Sequence, residues 1–86
     1  MALTTGQYVR MKMAPHTRMG TIEGSEERRG RTFYHFLQDP RLKEAVPGHV
    51  FEALLLEDEL ELCAKPPDEY WQVVNAAIEQ ERRAGR

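Results

Sequence analysis

The sequence is poor in the features by which many functions are recognised. It holds one cysteine, Cys63, so no internal disulfide can staple it, and a reducing compartment, the cytoplasm, is the expected location. Its three histidines, His16, His35 and His49, lie nineteen and fourteen positions apart. Zinc sites draw three or four ligands from closely spaced His and Cys pairs, so no metal site and no cofactor are expected. Gly20, Gly24 and Gly30 match neither glycine-rich phosphate-loop spacing. The N-terminal MALTTGQYVR lacks the apolar stretch of a signal peptide. The longest apolar run, Ala53–Leu56, is far shorter than the ~20 residues of a membrane helix, so no membrane association is expected. Positive charge is not in excess either. The net charge is −2 and the pI about 5.9, which excludes a global field for polyanions.

What is present is the composition of one small folded domain. The chain has 86 residues, 41% hydrophobic and 30% charged, which is neither disordered nor large enough for two cores. Charge is unevenly placed. Residues 1–31 carry six Lys or Arg (Arg10, Lys12, Arg18, Arg28, Arg29, Arg31) against Glu23, Glu26 and Glu27. Residues 49–63 carry five acids and no Lys or Arg, the pattern of a solvated acidic strand and loop.

Alternation of period two predicts strands. Gln7–Met13 alternates, with Val9, Met11 and Met13 on the apolar face; residues 14–18, with Pro15, read as a loop. Met19–Gly24 and the aromatic Arg31–Gln38 flank a polar turn, Ser25–Gly30, and predict a hairpin. Arg31–Gln38 is bulky on both faces, as in a central strand of a curled sheet. Arg41–Val46 reads as a helical turn or loop, and Pro47-Gly48 as a turn. His49–Leu56 and Glu59–Cys63, with Leu60 and Leu62 apolar, complete five strands. Asp68–Arg83 predicts a helix with Asp68 as N-cap. Its stripe is Tyr70, Val73, Val74, Ala77 and Ile78, with Trp71 at the edge. The expectation is a mainly β domain, a small five-stranded SH3-like barrel over 1–65, and one C-terminal amphipathic helix over 66–86. The helix would pack on the barrel or on a partner.

Gly6, Val9, the basic Arg18 ahead of Gly20-Thr21-Ile22, the aromatic strand Phe33–Phe36 and the closing Leu60-Glu61-Leu62 carry a family resemblance. In that order they resemble SH3-like barrels of the KOW and Tudor type over about two-thirds of the chain. The resemblance implies a binding module, for RNA, for ribosomal or transcription partners, or for methylated side chains. One fold hosts many functions, so it does not choose among these.

Catalysis finds little support in the residues. The acids before Cys63 predict a raised thiol pKa, the reverse of an activated nucleophile. The carboxylates of Glu57–Glu61 sit on a solvated turn. Tyr8, Phe33, Tyr34, Phe36 and Trp71 are candidates for an aromatic cage, but a core this small needs most of them. A non-enzymatic protein-interaction module is the leading expectation. Tyr70, Trp71, Val74 and Ile78 are its candidate contacts, with a protein partner or self-association as a homodimer. The alternative is a nucleic-acid-binding barrel using Arg10, Lys12, Arg18, Arg28, Arg29 and Arg31.

Overall fold

The computed structural model describes residues 3–44, 46 and 48–85. Five antiparallel strands form one sheet in the order β4-β3-β2-β1-β5. They are β1 (Tyr8–Met11), β2 (Met19–Arg28), β3 (Arg31–Gln38), β4 (Glu52–Leu56) and β5 (Leu60–Leu62). A 3-10 turn, Glu57–Glu59, links β4 to β5, and the helix α1 spans Asp68–Ala84. The mainly β architecture with one terminal helix is as expected. The sheet is not closed by hydrogen bonds: β4 and β5 are its two edges.

Several boundaries differ from the sequence expectation for local reasons. The Ala14 amide donates to the Met11 carbonyl (3.1 Å) and turns the chain, so β1 stops early and Met13 is 90% exposed. The polar segment Ser25–Arg28 is strand rather than turn. It pairs with Tyr34, Phe33, Thr32 and Arg31, which shrinks the connection to Arg29-Gly30. Both turn residues take left-handed backbone (φ 53° and 76°), as two-residue hairpin turns demand. A bulge at Glu23 lets β2 bend between Ile22 and Gly24. Regular β4 begins at Glu52, although the Phe51 carbonyl still accepts from the Gln38 amide (2.9 Å). Around residue 41 the chain makes a turn and no helix. Gly48 has φ 79°, consistent with a turn, while Pro47 lies outside the described residues. In β5, Leu60 is buried but Leu62 is 44% exposed, because the edge strand runs off the core at its last residue.

Two packed clusters hold the molecule. Leu3, Val9, Ile22, Tyr34, Phe36 and Leu60 form the first, with Met11, Phe51 and Leu55 against it. All five strands therefore contribute to one core on the inner face of the sheet. Met19, Leu42 and Trp71 form the second, which seats α1 beside the sheet. At Gly20 a Cβ would run into the Leu37 carbonyl, so β2 and β3 approach more closely than any side chain allows.

Candidate functional site

Trp71 is the one fully buried residue of α1, at 2% exposure. Tyr70, Val74 and Ile78 pack partly buried around it, with Tyr8 and Cys63. Trp71 is thus the centre of the buried stripe and not its edge. Val73, expected in the stripe, is 70% exposed, and Ala77 is exposed. The rotation follows from polar anchors. Asn75 Nδ2 donates to the Arg41 carbonyl (2.9 Å), and its Oδ1 accepts from the Lys43 amide (2.9 Å). The Tyr70 hydroxyl donates to the His16 carbonyl (2.7 Å). Pro67, not Asp68, occupies the N-cap position and supplies no side-chain cap. Asp68 is instead the first helical residue and accepts from Arg41 Nη1 (2.8 Å). Docking leaves the Trp71 indole N–H buried without a partner among the described residues.

Arg41 is the hub of this arrangement. Its guanidinium grips Asp39 through Nε (3.0 Å to Oδ1) and Nη2 (2.8 Å to Oδ2), and lies 5.8 Å from the Trp71 ring centre. The Tyr8 hydroxyl donates to Asp39 Oδ2 (2.8 Å). Burial alone would raise the Asp39 pKa. The bonds from Arg41 and Tyr8 reverse that and hold it at about 2. Burial, then the Asp39 hydrogen bond and charge, push the Tyr8 phenol above its ordinary value. All three groups are consumed by one another, so this perturbed cluster is a clasp for α1.

Cys63 is half-buried in the second cluster, and its thiol pKa is raised. Burial is the main cause, ahead of the opposing Arg10 charge and the Glu61 carboxylate. The expected direction is therefore found, with desolvation rather than neighbouring acid as its chief source. His35 Nε2 sits 3.0 Å from Glu26 Oε1. Among the described residues, no group of three or more His, Cys, Asp or Glu is placed to hold a metal ion. Among the described residues no helix is long and apolar enough to cross a membrane.

The six basic residues do not form one patch. Arg10 faces Met19 at the start of β2, whereas Arg28 and Arg31 pair at its far end, about 30 Å of strand away. Three are engaged by carboxylates: Arg10 with Glu61 (2.8 Å), Arg18 with Glu44 (2.7 Å) and Arg28 with Glu26 (2.7 Å). Arg18 also stacks 4.1 Å over the Phe51 ring. Lys12, Arg29 and Arg31 are exposed.

The aromatics are similarly divided. Tyr34 and Phe36 lie in the first core and Trp71 in the second, with Tyr8 beside it. Phe33 lies in neither. It belongs to the outer face of the β2-β3-β4 half of the sheet. Register places Phe33 opposite Leu56, His35 opposite Leu54 and Leu37 opposite Glu52. Phe33, Leu37, Leu54 and Leu56 are half-buried and belong to neither core. At the Leu37–Leu54 end of this face lies a groove of about 490 Å³, bounded by Glu23, His35 and Glu52 and floored by Leu37, Ala53 and Leu54.

No family model, curated protein or solved structure matches this chain. Its own surface must therefore carry any functional reading. The outer face escaped the site reading of the sequence, although two signals marked it. Both faces of Arg31–Gln38 are bulky, and Leu54 and Leu56 alternate with the core-facing Phe51 and Leu55.

Proposed function

We propose that this chain is a non-enzymatic protein-interaction module, built on an SH3-like barrel of the KOW or Tudor type. Its contact surface is the outer face of β2-β3-β4. The barrel assignment is supported by the link between the two edge strands, a turn of only three residues, Glu57–Glu59. It is also supported by the single core to which all five strands contribute. The interaction reading rests on one observation: Phe33, Leu37, Leu54 and Leu56 form an apolar face that neither core covers. Contiguous apolar surface of this kind is characteristic of interfaces. The helix contributes less than the sequence suggested, because Trp71 is spent inside the molecule. A cytoplasmic location is part of the proposal and is supported by the solitary cysteine, Cys63.

A photo-crosslinking residue at Leu54, with a second at Val73 on α1 as control, tests this in the cells that make the protein. Adducts to a defined polypeptide from Leu54 and not from Val73 are expected. Adducts from Val73 alone, or none, overturn the assignment of the face. The nucleic-acid reading keeps one supporting observation, the exposed Arg29 and Arg31 at the hairpin tip. Anisotropy with RNA and DNA at about 50 and 200 mM salt tests it.

A further inference from the structure

We infer that β4 is an open docking edge, and that its occupant is an extended basic segment, with Lys or Arg alternating with apolar residues, added as a sixth strand. The inference deepens the interaction reading and rests on it. The Gln38 amide bonds the Phe51 carbonyl, which makes Phe51, Ala53 and Leu55 the residues whose backbone groups face β3. By the antiparallel pattern, the N–H and C=O groups of Glu52 and Leu54 then point away from the sheet. Among the described residues no backbone group pairs with them. Natural edges are usually blunted by Lys, Pro or a bulge. The strand EALLL has no Lys, Pro or bulge, and its one edge charge is Glu52. The other edge, β5, is only three residues long and offers a poorer template.

Charge selects the occupant. Glu52 is exposed on the edge itself, Glu23 bounds the groove beside it, and Asp58 and Glu59 are exposed just beyond its end. A second copy pairing antiparallel through β4 would bring Glu52 of one chain towards the acidic 57–59 turn of the other, and facing like charges destabilise strand pairs. A basic strand reverses every one of those contacts. Its backbone would satisfy the outward groups of Glu52 and Leu54. Because strand side chains alternate between faces, its ammonium groups would stand on the outer face beside Glu52 and its apolar side chains would continue the inner face beside Ala53 and Leu55.

The test uses the full chain, isotopically labelled, and an end-capped peptide of about seven residues alternating lysine and valine. Backbone amide shifts should change at Glu52, Leu54 and the facing residues of β3. A peptide of the same charge with N-methylated alternate amides, unable to complete a ladder, should lose binding. Glu52→Lys should weaken it about tenfold, and Asp58→Lys should weaken it less. Unchanged amide spectra away from the edge confirm that each variant is folded. Equal binding of the N-methylated peptide, or shifts centred elsewhere, overturns the strand-addition model. So does concentration-dependent self-association through β4 without peptide. If the peptide fails to bind while Leu54 still cross-links a protein, the basic occupant is wrong and the interaction face stands. Failure of both removes the face as well.

Discussion

At the residue scale, the strongest electrostatic commitment is the Asp39 carboxylate, buried between Arg41 and Tyr8. Its folded pKa of about 2 lies below the ordinary 3.8. A depressed acid stabilises the fold fully above the unfolded value, and the contribution is lost as pH falls through the folded one. That places a loss of roughly 2 kcal/mol between about pH 4 and pH 2. Denaturant titration at a series of pH values should show this acid limb, and Asp39→Asn should flatten it. Arg29 is the opposite case, a residue held at φ 53°, in the left-handed region that Gly and Asn favour and a long side chain such as Arg does not. Arg29→Gly should raise stability by up to about 1 kcal/mol, read as a higher denaturation midpoint at unchanged slope. Gly20→Ala should cost more than about 2 kcal/mol, since the new methyl meets the backbone of Leu37 and not a movable side chain.

At the scale of elements, α1 is joined to the sheet through one large side chain and a few polar anchors. Trp71→Ala should cost about 3–5 kcal/mol and release the helix, seen as loss of amide protection at Asn75 and Lys43. Trp71→Phe should cost distinctly less, because it keeps most of the buried area and removes an indole N–H that has no partner. Calorimetry of the two variants compares these effects, and equal losses would show that the indole N–H is satisfied in solution. The helix itself was readable from its spacing and from Asp68, Glu69, Arg82 and Arg83 at its ends. Which way it faces was not readable. That depends on Asn75 meeting Arg41 and Lys43, residues more than thirty positions away. The hairpin was equally visible, but its length was not. Glu26, Glu27 and Arg28 look like turn residues until Phe33, Thr32 and Arg31 pair with them.

At the scale of the whole molecule, charge is arranged in separate places and does not sum to one field. Arg31 lies two residues from Phe33, the partner of Leu56, so charge reversal at the exposed Arg29 and Arg31 should strengthen binding of the basic peptide, by no more than about threefold because solvent and salt screen these side chains. Isothermal titration reads this directly, and a larger change would place the tip in the contact surface. The alternations of Val9 and Met11, of Phe51 and Leu55, and the acidic run after β4 are all local patterns. For that reason the sequence alone determined a mainly β domain of five strands with a terminal helix, and an acidic flank. It could not determine how those pieces meet, because that depends on pairings across tens of residues. Tertiary structure decided that Trp71 is buried rather than displayed and that Arg10, Arg18 and Arg28 answer to carboxylates. It also decided that Phe33, Leu37, Leu54 and Leu56 share one uncovered face. Each outcome requires side chains far apart in the chain to compete for the same surface, and only the folded sheet brings them together.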